Sequence, residues 1–400
     1  MKRIYSNGGQ GSARNDKTCN NKAVKSSQGD DKMNNIYQWL EIVEDTRQQG
    51  KIKHLMKDII AIVFFASLAN ASEWMEIYYF AVSKERFLRK HLELPWGIPS
   101  HDTIQRVMAI VSPEFLQGFQ KRWNEVMSGN GGEKIKRILA IDGKTQRGNA
   151  TSTQKANHIV SAVDEDGFCL GQTRVDEKSN EITAIPDLLD DLNIKGHIIT
   201  TDAMGCQTAI VKKIRLKHAD YVLALKGNQG TLYEDVKLYF DDPELLSKCA
   251  YTIVKEKAHG CIEKREYWQT EDISWLWQKK DWTGLKSIAM TRNTITKNGV
   301  TTVEMRYFIS SLPLDINQIS RAIRKHWMVE SYHWHLDVTF REDANHTIDK
   351  DAAYNLNIVR KIAINILKIF DVGLKKISLK GKRFMISMNV EKYFEELLAL

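Results

Sequence analysis

The chain has 400 residues, 42% hydrophobic and 27% charged, which is ordinary for a globular protein and long enough for two or three domains. Its formal net charge of +8 suits a polyanionic partner, most often nucleic acid, although a basic soluble enzyme would read the same way. Cys19, Cys169, Cys206, Cys249 and Cys261 form no C-x-x-C pair, so neither a zinc ribbon nor a disulfide framework is implied, and the odd count fits a reducing cytoplasm. The longest apolar run, residues 59–71, falls short of the about 20 residues that span a bilayer, so it reads as a buried helix. Lys2 and Arg3 precede no apolar stretch, so no secretory signal is expected.

Residues 1–33 are rich in Ser, Asn, Gly, Gln and Lys and read as a disordered tail, or as an upstream extension of the reading frame ahead of Met33. Residues 34–130 read as an all-helical domain. Trp39, Leu40, Ile42 and Val43 recur at helical spacing, and Pro95 and Pro99 break the pattern around Gly97. His101-Asp102-Thr103 can cap a helix whose apolar face is Ile104, Val107, Met108 and Val111. Near 137 the pattern changes to strands at 138–141, 158–163, 169–175, 197–201 and 221–225, with helices over 182–192 and 208–218. That order predicts an α/β domain, residues 131–400, with helices on the faces of a mixed sheet. A β-rich insertion at about 245–312 includes strands at 251–254, 286–290 and 305–309 and a turn at 297–299. Helix is expected again over 316–334, a loop over 342–345, and a helix over 355–370 with Ile358, Ile362, Ile366 and Ile369 on one face. A basic helical C-terminus follows, with Lys375, Lys376, Lys380, Lys382 and Arg383.

Two aspartates close short apolar runs: Asp142 in Ile138-Leu-Ala-Ile-Asp142 and Asp202 in Ile198-Ile-Thr-Thr-Asp202. Carboxylates at strand ends are good ligands for hard divalent metals, and two such ions can drive in-line displacement at phosphorus. An aspartate after a strand is also commonly a turn former or helix cap, and that reading stands beside the first. Glu330 shares a helix face with His326, His333 and Asp337. The same spacing would suit a zinc ion, but H-E-x-x-H is absent and no cysteine is near. Lys226-Gly-Asn228-Gln-Gly230 could hold a phosphate or be a simple turn. Trp268, Trp275, Trp277 and Trp282, set among cations, could stack on bases or be buried.

Six stretches together carry a family match: residues 101–107, Ala140-Ile-Asp-Gly-Lys-Thr145, residues 176–186, residues 200–207, Lys226-Gly-Asn-Gln229, and His326 to Glu330 with Leu336-Asp-Val338. From about residue 36 to its end the chain resembles DDE transposases of bacterial insertion sequences, most closely the H-repeat-associated protein type. The resemblance implies an RNase H-like catalytic core with a β-rich insertion, preceded by a helical domain that binds transposon ends. It implies Asp142, Asp202 and Glu330 as the catalytic acids, holding two Mg²⁺ (or Mn²⁺) ions. The expected partners are double-stranded DNA, both terminal inverted repeats and target, with a dimer on the DNA, at the nucleoid of a bacterial cytoplasm and with no membrane. Lys144, Lys226, Asn228, Arg265, His326 and the five C-terminal basic residues are candidate DNA contacts, and Asp337 a candidate metal support. Related enzymes carry a Y-x-x-R-x-x-x-E-x-x-x-x-x-x-K signature; here Ile323, His326 and Asp337 replace its Tyr, Arg and Lys, so hairpin handling is not carried over. Ser331 stands where Asn commonly follows the glutamate, and His259-Gly260-Cys261 replaces H-G-R. A nuclease that cuts without joining, and a silent DNA-binding derivative, are the competing readings.

Overall fold

The computed structural model describes residues 36–127, 137–176, 179–258 and 260–398. The tail expected over residues 1–33 lies outside them. The first described segment forms α1 (Ile36–Leu40), α2 (Met56–Leu68), α3 (Trp74–Ser83), α4 (Glu85–Leu88), α5 (His101–Ile110) and α6 (Pro113–Met127). Helix α2 is the long apolar run, and it is buried on every side rather than along one stripe. Helix α5 is capped by Ser100, whose hydroxyl accepts from the Thr103 amide, not by residues 101–103. A serine that stays extended before the first turn satisfies an amide that has no partner inside the helix.

The remaining elements are β1 (Ile138–Thr145), β2 (His158–Asp164), β3 (Cys169–Arg174), α7 (Glu181–Asp191), β4 (Ile198–Thr201), α8 (Thr208–Leu216), β5 (Asp220–Leu225), α9 (Thr231–Asp241), α10 (Pro243–Ser247), β6 (Ala250–Ala258), β7 (Cys261–Thr270), β8 (Ser287–Lys297), β9 (Val300–Ser310), α11 (Ile316–His326), α12 (Met328–Trp334), α13 (Lys350–Ile369), α14 (Leu379–Met388) and α15 (Val390–Leu398). The strands form one nine-stranded mixed sheet in the order β3-β2-β1-β4-β5-β9-β8-β7-β6. Strands β1, β4 and β5 run parallel to one another, and every other pairing is antiparallel. The β-rich stretch therefore extends the first sheet through the β5–β9 pairing. It does not build a second one. Strand β7 carries Glu263-Lys-Arg-Glu266 where apolar alternation would mark a strand; cross-strand pairs of Arg265 with Glu256 (3.0 Å) and Arg292 with Glu266 (2.8 Å) hold it instead. The turn at Asn298-Gly299 has both residues at positive φ, the geometry that suits a tight hairpin.

The two faces of the sheet are covered by different helices. Leu139 and Ile141 pack with Leu188, Ile210 and Val236 of α7, α8 and α9. Ile138 packs with Ile319 and Ala322 of α11, and Ala140 joins the cluster that contains α13 and the N-terminal helices. The helix expected over 316–334 is divided at Trp327, whose ring lies 4.6 Å from the Arg306 guanidinium. A π-helical turn, His335–Thr339, and a short 3₁₀ turn, Glu342–Ala344, follow.

Helix α13 starts at Lys350, earlier than its apolar pattern suggests, because the Asp349 carboxylate caps the Asp351 and Ala352 amides. It is buried all round from Ala352 to Leu367, so its polar residues need partners inside the protein. Asn355 donates to the Met108 and Val111 carbonyls, Arg360 to the Ser72 carbonyl, and Lys361 to the Ser161 hydroxyl. Beside it, Glu342 accepts from Asn357 at 2.7 Å and lies 3.4 Å from both Arg360 and Lys144. Burial alone would raise the Glu342 pKa, but Arg360 and Lys144 outweigh it and hold the carboxyl below its ordinary range. Removing one member of a buried ionic network strands the others, at a cost of about 3–5 kcal/mol. Glu342→Ala is therefore expected to lower the unfolding free energy by roughly that amount in urea titrations, whereas Lys375→Ala, at an exposed site, stays within about 0.5 kcal/mol of wild type.

Candidate metal centre

Strands β1 and β4 run side by side with Ile141 opposite Thr201. The next residue of each is an aspartate: Asp142 lies within β1, which runs on beside β2 to Thr145 rather than ending at 141 as expected, and Asp202 directly follows the end of β4. Asp202 leaves the strand in a tight turn, its Oδ1 accepting from the amides of Met204 (3.0 Å) and Gly205 (3.2 Å). The turn-forming reading of this aspartate and the ligand reading thus both apply to one side chain. A third acid joins them. Glu181 is the first residue of α7, placed there by Asn180, whose side chain accepts from the Ile182 amide at 3.0 Å. One oxygen each from Asp142, Glu181 and Asp202 lies within 4.8 Å of the other two.

Glu181 was not among the acids singled out from sequence. The available signal was the stretch 176–186, where an Asn-Glu pair opens a helix after the third strand. Glu330 is exposed on α12 and lines a cleft of about 700 Å³ together with Asp142 and Asp202. It is not a member of the close group.

Burial, then the charges of Glu181 and Asp202, push the Asp142 carboxyl up to about 7. Burial also raises Glu330, against a lowering by Arg306. Among the described residues no lysine or arginine pairs with Asp142, Glu181 or Asp202. Their ion-pair neighbours are histidines: His158 Nε2 is 2.6 Å from Glu181 Oε1, and His333 Nδ1 is 3.7 Å from Asp142 Oδ2. Burial, with Lys361 and Lys144 nearby, holds His333 down at about 3, so its ring is neutral and adds no compensating charge. Its buried Nε2 has no hydrogen-bond partner among the described residues. Three convergent carboxylates, all oxygen donors and short of positive charge, fit a hard divalent cation. The zinc alternative is not assembled. His326 Nδ1 is engaged with the Thr200 hydroxyl at 3.0 Å, and His326, Glu330 and His333 form no such group among the described residues.

The other sequence candidates divide. Lys226 is exposed on the cleft wall, with Arg306 and Arg324 nearby on the same wall. Arg265 lines it too, already paired with Glu256 and Glu263. Asn228 donates to the Ala203 carbonyl at 2.7 Å and so braces the Asp202 turn. His326 is half-buried and held at about 4 by desolvation and by Arg306, which makes it neutral and unsuited to contact phosphate as a cation. Lys144 is turned away from solvent into Asp337 (2.7 Å), Asp343 (2.9 Å) and Glu342 (3.4 Å), so it is not available to DNA and Asp337 serves as its partner.

The C-terminal cluster is likewise split. Lys375, Lys376 and Lys380 are exposed. Lys382 donates to the Leu367 and Phe370 carbonyls at the end of α13. Arg383 is fully buried and donates to the carbonyls of Ser67, Ala71 and Thr339. Helix C-termini leave carbonyls without partners, and these two cations satisfy them. Of the tryptophans, Trp268 and Trp282 are buried, Trp275 stacks on Tyr239 at 5.1 Å, and Trp277 is exposed under Lys280. No described helix is long and apolar enough to cross a membrane.

Comparison with known proteins identifies the family. The Transposase DDE domain model matches residues 133–366, and the DDE_Tnp_1-associated model matches residues 37–124. The chain is 38% identical to "Putative transposase YncI" of Escherichia coli O157:H7, over 91% of this chain and 94% of that protein. It is also 38% identical to "H repeat-associated putative transposase YhhI" and to "Putative protein YbfL" of Escherichia coli K12, each over 85% of this chain and 93% of the relative. A domain match over more than half the chain and relatives covered over almost their full length lead to one conclusion: the chain belongs to the DDE transposase family.

Proposed function

We propose that this protein is a DNA transposase that cleaves at the ends of a mobile element and joins the freed 3′-hydroxyls to target DNA. The observation that carries the reading is the emergence of Asp142 and Asp202 from adjacent parallel strands, with Glu330 on the wall of the same cleft. On an RNase H-like core, these three acids would hold two Mg²⁺ or Mn²⁺ ions. When bound, such ions activate the attacking oxygen and stabilise the leaving one.

The chain's own residues bind and orient the DNA. Lys226, Arg306 and Arg324 give the cleft cationic groups that can meet backbone phosphates. Neutral His326 ties α11 to β4 through Thr200, and Glu330 follows one turn later on α12. That tether keeps the third acid on the cleft wall. Lys375, Lys376 and Lys380 offer a further exposed basic surface. The helical segment 34–130 would bind the transposon ends. Joining requires two ends held together, so the acting species is a dimer on DNA, working at the nucleoid.

The decisive test is divalent-ion-dependent cleavage and joining of a matching terminal inverted repeat. Asp142→Ala and Asp202→Ala are expected to lose roughly 10³-fold or more in rate while keeping end binding. Cleavage by Asp142→Ala at the wild-type rate would defeat the assignment. Cutting without joining would mark a nuclease, and binding without cutting by the wild type a silent derivative.

A second expectation concerns pH. The Asp142 carboxyl titrates near 7 in the folded protein against an ordinary 3.8, so charging it is penalised by folding. Its contribution to stability is full below about 4 and lost as pH rises through about 7. Asp142→Asn should therefore stabilise the metal-free protein at pH 8 by on the order of 2 kcal/mol, after discounting for partial solvent access. The gain should vanish near pH 4, as checked by chemical denaturation at both values.

A further inference from the structure

We propose that Glu181 is a fourth carboxylate of this metal centre, set against Asp142 and Asp202 by His158 and admitted there because residue 143 is glycine. The proposal rests on the metal-site reading above and extends it to a residue outside the Asp142, Asp202, Glu330 set.

Three independent features of the chain converge on this one side chain. The first is its origin: Asn180 caps α7, so Glu181 occupies the first helical position, where the helix dipole favours an anion. The second is its restraint. Thr145 and His158 are cross-strand partners of β1 and β2. The Thr145 hydroxyl is 2.8 Å from His158 Nδ1, and His158 Nε2 is 2.6 Å from Glu181 Oε1. The ring is fixed at both nitrogens, and the carboxylate is fixed in turn. Such an outer partner on a metal-binding side chain typically governs affinity 10- to 100-fold, as an order of magnitude.

The third feature is space. A Cβ at Gly143 would overlap both the Glu181 carboxylate and the His158 ring. Gly143 has ordinary negative φ, so backbone conformation does not demand glycine there; close approach does. The residue after Asp142 thus leaves room for another acid to reach it. A carboxylate has about four lone-pair positions, so accepting one hydrogen bond from His158 leaves capacity for an ion.

A purely structural Glu181–His158 pair would explain the restraint. It gives no reason to bring a third negative charge within 4.8 Å of two aspartates, where it raises the cost of ionising Asp142. A divalent ion removes that cost. With Glu181 in the set, three acids are assembled without Glu330, so one ion can be held before DNA arrives.

The test is Mn²⁺ binding to the full-length, DNA-free protein at pH 8 by isothermal titration calorimetry, with thermal unfolding confirming that each variant is folded. Glu181→Gln keeps the shape and removes the charge; Gly143→Ala keeps every charge and displaces the carboxylate. Both are expected to weaken Mn²⁺ binding roughly 10- to 100-fold, and His158→Gln to weaken it in the same direction. Wild-type affinity in Glu181→Gln, with binding lost in Asp142→Asn, would overturn the role of Glu181 and leave a two-aspartate site. Wild-type affinity in Asp142→Asn as well would overturn the metal-site reading beneath it.

Discussion

Mutual repulsion among carboxylates beside β1 and β4 is the constraint around which the rest of this structure is arranged. Parallel pairing with Ile141 opposite Thr201 sets residues 142 and 202 side by side where the β1–β4 pairing ends, and Asn180 delivers Glu181 to the same place. A fold seeking only stability would answer with a lysine. One is available two residues along β1, but Lys144 is drawn off by Asp337, Glu342 and Asp343. His333, the cation candidate nearest Asp142, is kept neutral by burial. The centre therefore stays short of positive charge, as a site reserved for an external cation must.

The same diversion of Lys144 builds the scaffold behind the site. Glu342 takes Arg360 and Asn357 from α13 as well as Lys144 from β1. Arg360 reaches the Ser72 carbonyl between α2 and α3, and Arg383 reaches Ala71 and Ser67 from α14. One buried polar network thus runs from the strand that carries Asp142, through the long central helix, to the N-terminal helices. Apolar contacts alone resist sliding poorly, whereas each of these bonds has one geometry.

The parts legible in the sequence were those in which one local signal has one cause. Short β-branched runs ending in an acid marked β1 and β4, and the apolar run at 59–71 marked a helix buried all round. The parts that were not legible depend on pairings between distant segments. Glu181 alone reads as an acid in a first helical turn, which ordinarily serves the dipole; only the β1–β2 register and α7 together bring it to Asp142. Lys382 and Arg383 look like a continuation of an exposed basic cluster until the chain ends of α13 and α2 supply carbonyls for them. Strand β7 hides because charge pairing across the sheet replaces the apolar period. Lys144 hides for the complementary reason, since the acids that claim it lie almost two hundred residues on.

The acids are divided between two depressions. The cleft of about 700 Å³ contains Asp142, Asp202 and Glu330 with Lys226, Arg306 and Arg324. A second, of about 600 Å³, is lined by Glu181 and His158 with Lys155, Arg174 and Lys350. Each wall is of mixed charge: Arg306 is paired with Glu304 on the first and Arg174 with Asp351 on the second. A DNA strand carries a charge every 3.4 Å or so, and therefore needs positive groups on both sides of the phosphate being attacked. A single pocket closed behind the acids would accept a mononucleotide end but stop a continuing chain. Under the proposed function, carboxylates shared between two depressions let a continuing strand pass across them, with Lys226 and Arg324 on one side and Lys155 on the other to meet its phosphates.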